Sequence, residues 1–153
     1  MTRTTVFITG ATGFIGAHVA LSALKAGHNV KLSVRREGQI ESLRRALDAF
    51  ANKLEFVVVP DYTTAGAFDD ALKGTDHVIH VASPLAKPNE DLLTPAVKGT
   101  TSILESASKT ASIKKVVITA SVASLIPLGK GGDGTVAKGK RFQSPCGGTH
   151  KVC

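Results

Sequence analysis

The stretch Thr9-Gly10-Ala11-Thr12-Gly13-Phe14-Ile15-Gly16, TGATGFIG, decides the fold. Before it stands Thr5 to Thr9, a β-branched apolar run of strand length, and after it Phe14 to Ala26 is rich in Ala and Leu and closes on Gly27. That second segment has the composition of a helix with a glycine at its C-terminal end. A strand, three glycines and a helix in this order can hold a pyrophosphate. Gly10 permits the tight turn, Gly13 lets backbone approach a phosphate, Gly16 allows close packing of the helix, and the helix N-terminus faces the negative charge. A side chain at these positions would fill the phosphate's space. Three glycines alone could equally build an empty strand-to-helix turn, so the surrounding pattern has to carry the reading.

That pattern is regular up to Pro127. Strand candidates recur at Thr5 to Thr9, Val30 to Val34, Glu55 to Val59, His77 to Val81 and Lys115 to Ala120, each nearly continuous in apolar residues as buried parallel strands are. Between them, Ile40 to Ala51 places Ile40, Leu43, Leu47 and Phe50 on one helical face. Ala67 to Leu72 reads as a short helix ended by Gly74. Asn89 to Thr110 reads as a long helix with Leu92, Leu93, Val97, Ile103 and Leu104 on its apolar face and Pro95 near its start. The alternation predicts an α/β fold: a Rossmann-type doubly wound parallel sheet of about five strands, incomplete at its C-terminal side.

With 153 residues, 42% of them apolar, the chain can bury one core. No apolar run reaches the length of a membrane span, and MTRTTVFITG leads straight into a strand rather than a signal-peptide pattern, so the expected location is cytoplasmic. The net charge of +7 invites a nucleic-acid reading until it is divided along the chain. Residues 1–128 carry 14 Lys/Arg against 11 Asp/Glu, only +3, while residues 129–153 carry 5 against 1, or +4. With 5% aromatic residues and no reading motif, nucleic acid is not an expected partner. Cys146 and Cys153 both fall in the last eight residues, and His18, His28, His77 and His80 share no ligand spacing, so neither a disulfide framework nor a metal site is expected.

After Pro127 the texture changes. LGKGGDGTVAKGKRFQSPCGGTHKVC holds seven glycines in 26 residues with scattered basic residues and no apolar periodicity. The expected division is a nucleotide-binding domain over residues 1–128 and a disordered Gly-rich basic tail over 129–153.

TGATGFIG is similar to the TGxxGxxG signature of extended short-chain dehydrogenases/reductases. The resemblance continues through VIHVASP, AVKGTTSIL and VVITAS, and is greatest to the branch of dihydroflavonol, cinnamoyl-CoA and aldehyde or ketone reductases. It covers about residues 4–126, and the motifs occur in the family's order. Ala96 departs from the Asn that many members place before V-x-G-T.

The resemblance implies a nicotinamide nucleotide and a small carbonyl substrate. Thr9, Gly10, Gly13, Phe14, Ile15 and Gly16 form the candidate cradle. At the end of the second strand KLSVRREGQ offers Arg35 and Arg36 with no acid before Glu37, which favours NADP(H), with Arg35 meeting the 2′-phosphate. A solvated Arg pair at a strand end is the competing reading. Asp61, with Tyr62 beside it, resembles the family's adenine-binding aspartate; it could also cap a helix starting near Thr64. Val81, Ala82 and Ser83 resemble the segment lining the nicotinamide-side ribose and diphosphate, and Ser83-Pro84 also suits a turn leaving the strand.

Family reductases use a Ser to position the carbonyl, a Tyr to donate the proton, and a Lys four residues later that lowers the Tyr pKa. Ser121 matches the catalytic serine, with Ser124 a weaker candidate and helix capping the alternative role. Tyr62 is the sole tyrosine, and the fourth residue after it is Gly66, so Tyr-x-x-x-Lys does not occur in these 153 residues. The expectation is a truncated or altered product: the nucleotide-binding part of a reductase, catalytically incomplete, or a non-catalytic NADP(H)-binding or redox-sensing module. Its fifth strand should be an unpaired edge, and its stability marginal.

Overall fold

The computed structural model describes residues 4–84 and 91–121. Five strands, β1 (Thr5–Thr9), β2 (Asn29–Val34), β3 (Leu54–Val58), β4 (His77–His80) and β5 (Lys115–Ile118), form one sheet in the order β3-β2-β1-β4-β5. Every pairing is parallel: Val6 stands opposite Val30 on one side and His77 on the other, Val30 opposite Leu54, and His77 opposite Lys115. All strands therefore end at one edge of the sheet. The chain order reverses between β1 and β4, and that is where open α/β sheets bind ligands.

Alternation along the strands divides the core into two layers. Val6, Ile8, Val30 and Leu32 face α1 (Phe14–Lys25) and α2 (Ile40–Ala46), packing with Ala20, Leu24, Leu43 and Leu47. Phe7 and Val78 face the other way, toward Phe68, Leu72 and the helix α3 (Leu93–Lys109) with its Ile103 and Ala107. Phe7 meets Phe68 edge-on, with ring centroids 6.0 Å apart. Asp76 ties the opposite end of the sheet together. Its Oδ2 accepts the Thr5 N–H at 2.8 Å, and its Oδ1 lies 3.4 Å from Lys114 Nζ. The hydrogen bond from the Thr5 N–H, with the nearby Lys114 ammonium, holds the Asp76 carboxyl below the ordinary carboxylate range.

Three sequence expectations are corrected here. Ala67 to Leu72 is not a helix but a run of turns, closed largely by i→i+3 bonds such as Asp69 N to Gly66 O and Thr75 N to Leu72 O. Its apolar residues Phe68, Ala71 and Leu72 are buried all the same, and that burial holds a backbone too short to sustain a helix. The segment Ile40 to Ala51 is helical only to Ala46; a 3-10 stretch, Asp48–Lys53, follows, while Leu43 and Leu47 are buried on the expected face. The helix expected from Asn89 begins at Leu93, and its inward stripe is Gly99, Ser102, Ile103, Ser106 and Ala107. Leu92, Leu93 and Val97, expected inside, are exposed.

On the α1 side, Ile79 of β4 is only partly buried against the core beneath α1, and Val117 of β5 is exposed. An open groove of about 740 Å³ there is lined by Phe14, Ile15, Val19, Ile79 and Val117. β5 pairs only with β4 among the described residues, and Val117 and Ile118 are exposed, as expected of an edge strand. Ser124, Cys146, Cys153 and the basic tail expected over 129–153 lie outside the described residues.

Candidate functional site

The glycine turn is built as its spacing requires, with one difference in what each glycine meets. Gly10 has a left-handed backbone, φ +75°, and a Cβ on it would stand 2.7 Å from the Ala82 backbone N. Its constraint is the neighbouring β4 loop. A Cβ on Gly16 would run into the Gly10 carbonyl and reach 2.9 Å from the Ala11 Cα, so this glycine lets α1 close on the turn itself. Gly13 differs: a Cβ there would meet only the Gly10 O, at 3.4 Å. The protein does not need glycine at that position for its own packing. Gly13 is the N-cap of α1, no side chain caps the helix, and no acid lies in its first turn. The first turn of an α-helix leaves backbone N–H groups without helical partners, and here they open beside a position kept free of any side chain. The donor set and the space fit a diphosphate.

Phe14 and Ile15 supply the first helical N–H groups, while their side chains are 83% and 61% exposed along the apolar groove. Thr9 sits deeper. It is buried, its Oγ1 accepts the N–H groups of Val81 and Ala82, each at 3.1 Å, and it therefore donates its own proton to His80 Nδ1 at 2.8 Å. That arrangement requires a neutral His80 carrying its proton on Nε2. Burial pushes the His80 pKa down to about 4, so the neutral form holds at ordinary pH. Thr9 thus fastens β1 to the β4 loop behind the site. Because the Val81 and Ala82 N–H groups are engaged there, a ligand approaching this loop meets carbonyl oxygen and the exposed Ser83.

At the end of β2, Arg35 and Arg36 are both exposed, and their backbone N–H groups donate to Gln39 Oε1 at 3.0 and 3.2 Å. The Arg35 guanidinium lies over the Tyr62 ring, 5.3 Å from its centroid. Asp61, at the end of β3, caps a turn rather than a helix: Oδ1 accepts from the Thr63 N–H at 2.8 Å and the Thr63 hydroxyl at 2.6 Å, and Oδ2 from the Thr64 hydroxyl. The Thr63 hydroxyl bond, followed by the Thr63 N–H bond, keeps the Asp61 carboxyl below the ordinary carboxylate range. Tyr62 is half-buried against α3, where Gly99 leaves room for its ring. Ser121 is exposed three residues past the end of β5.

The glycine turn, Arg35, Asp61 with Tyr62, the Val81-Ser83 loop and Ser121 thus all follow strand C-termini at one edge of the sheet. Sequence reasoning passed over Gln39 and Gly99 and took His80 only as a histidine without ligand spacing. Gln39, four residues after Arg35, carried a weak local signal, whereas His80 and Gly99 act on residues distant in the chain. No cluster of three or more His, Cys, Asp or Glu suited to a metal occurs among the described residues, and none of their helices is long and apolar enough to cross a membrane.

The NAD dependent epimerase/dehydratase family model matches residues 6–144. A ketoreductase of Aspergillus fumigatus is 46% identical over 130 residues, covering 84% of this chain and 38% of its own. Aldehyde reductase 2 of Sporidiobolus salmonicolor is 36% identical over 126 residues, covering 80% of this chain and 37% of its own. The crystal structure of the yeast methylglyoxal/isovaleraldehyde reductase Gre2, complexed with NADPH, superposes with a TM-score of 0.74 at 36% identity, over 80% of this chain and 38% of that one. The chain therefore spans well under half the length of the relatives it matches.

Proposed function

Because this chain belongs to the NAD dependent epimerase/dehydratase family, we propose that it is the nucleotide-binding part of an NADP(H)-dependent reductase that converts a small carbonyl compound to an alcohol. The observation that carries the reading is Gly13. The fold would accept a side chain there, and the place left open lies in front of an uncapped helix N-terminus at the reversal point of the sheet. The backbone N–H groups of Phe14, Ile15 and Gly16 hold the diphosphate. Arg35 meets the 2′-phosphate, with Arg36 beside it. Asp61 and Tyr62 border the adenine, and the Val81-Ser83 loop borders the nicotinamide-side ribose. Reduced nicotinamide supplies hydride when bound. Ser121 donates a hydrogen bond to the substrate carbonyl and so fixes its orientation.

A second reading is a domain that binds NADP(H) without turnover, because Tyr62, the tyrosine these residues carry, has Gly66 and not Lys four positions on. Tyr62 cannot substitute as proton donor, since its ring is held between Arg35 and α3 at the adenine end. Calorimetric titration with NADPH and NADH, repeated on Gly13→Val, tests the binding common to both readings. NADPH should bind more tightly than NADH, and Gly13→Val should lose both ligands while keeping its melting cooperativity. Unchanged binding by Gly13→Val would overturn the site assignment. Consumption of NADPH with methylglyoxal as substrate separates the two readings, turnover selecting the first.

A further inference from the structure

Tyr62 is held from two sides by residues far apart in the chain. The Arg35 guanidinium stands 5.3 Å from its ring centroid. Along the Cδ2–Cε2 edge of the ring lies the buried Gly99 of α3, where a Cβ would overlap the ring atoms. The ring therefore fits only because position 99 carries no side chain. Arg35 itself is exposed, and its backbone N–H is fixed by Gln39, which leaves the long side chain to be ordered by what it rests on. The described residues offer it no salt bridge; Tyr62 is the contact it makes.

We propose that Tyr62 and Gly99 are specificity-determining positioning residues: Gly99 seats the Tyr62 ring, and the ring holds the Arg35 guanidinium where a nucleotide 2′-phosphate is read. The inference rests on the NADP(H) reading of the site and adds a second tier behind Arg35. A cation over an aromatic face at a solvent-exposed site is attracted by the ring quadrupole, an effect of roughly two- to fivefold in an equilibrium constant. The hydroxyl plays no part, so phenylalanine should serve as well as tyrosine. Leucine, which fills similar space with no π face, should not. Gly99→Ala should mimic leucine by displacing the ring from under Arg35, even though alanine favours the helix.

The test is the ratio of NADH to NADPH dissociation constants for the unsubstituted chain, Tyr62→Phe, Tyr62→Leu and Gly99→Ala. The expected result is an unchanged ratio in Tyr62→Phe and a ratio roughly two- to fivefold lower in the other two, NADPH binding weakening more than NADH binding. Equal weakening of both nucleotides, or no change, would overturn the proposal, since a merely structural ring would affect them alike. A second readout needs no change at Tyr62 or Gly99. The chain has one tyrosine and no tryptophan, so emission excited near the tyrosine band reports Tyr62 alone. Adenosine 2′,5′-bisphosphate should alter that emission more than adenosine 5′-monophosphate does in the unsubstituted chain and no more than it in Arg35→Met, and equal responses to the two ligands in the unsubstituted chain would overturn the proposal. If the unsubstituted chain binds neither nucleotide, the site reading itself falls and this inference with it. NADPH binding with an unaltered ratio in the variants defeats the inference alone.

Discussion

At the scale of single residues, the glycines of the turn separate into those that serve the fold and one that does not. Gly10→Ala forces an L-residue into a left-handed conformation beside the Ala82 backbone and should cost at least about 1–3 kcal/mol in urea unfolding. Gly13→Ala has only the Gly10 carbonyl oxygen to meet and should unfold within about 1 kcal/mol of the parent while binding NADPH more weakly. Thr9→Val leaves His80 Nδ1 and two backbone N–H groups without their shared partner. It should cost about 1–3 kcal/mol for each buried group so stranded, read from chemical denaturation. His80 also makes stability depend on pH. Its pKa falls from 6.5 to about 4 on folding, so the unfolded chain binds the extra proton first. The contribution is fully present above about pH 6.5 and is lost as pH falls toward about 4, on the order of 3 kcal/mol in all. Unfolding midpoints measured between pH 7 and pH 4 should show that slope, and His80→Gln should flatten it. The serine, arginine and aspartate candidates could be named from the family resemblance of the motifs that follow strand ends. The Thr9 to His80 bond could not, because it joins residues 71 positions apart.

At the scale of elements, strand positions were readable to within a residue or two, because buried parallel strands are continuous in Val, Ile, Leu and Phe. Helices were less so. In α3 the leucines at its N-terminal end are outside and two serines are inside. Ser102 reaches the Thr64 carbonyl at 2.7 Å, so a hydroxyl can be buried where a backbone acceptor awaits it. Periodicity alone ranks Leu above Ser for the core and misplaces this face. The start of α3 follows local chemistry: Asp91 Oδ1 accepts the Leu93 N–H at 2.9 Å and the Thr94 N–H at 3.2 Å. A hydrogen bond from the Thr94 side chain, followed by that from the Thr94 N–H, lowers the Asp91 pKa. Asp91→Ala should lower stability by about 1 kcal/mol, and the melting of the far-UV circular dichroism signal would record it.

At the scale of the whole molecule, the described residues leave an apolar surface open beside β4 and β5 on the α1 side. Phe14, Ile15, Val19, Ile79 and Val117 form an open apolar groove of about 740 Å³ beside an edge strand. This surface should bind an apolar dye such as ANS without denaturant, and Val117→Lys should reduce the dye signal while leaving the sheet intact, as fluorescence titration and circular dichroism would record. No dye binding would mean that the groove is covered in solution. The sequence by itself determined the alternation of strands and helices, the parallel sheet and the glycine turn at its reversal point, because hydrophobic period and backbone freedom are local properties written residue by residue. Tertiary structure alone decided that Thr9 is spent on His80 and the β4 loop, that Gly99 makes room for Tyr62 beneath Arg35, and that α3 buries serines in place of leucines. Each of these follows from two segments remote in the chain meeting in a close-packed interior, where the partner across the contact, and not the residue's own type, sets which side chain fits.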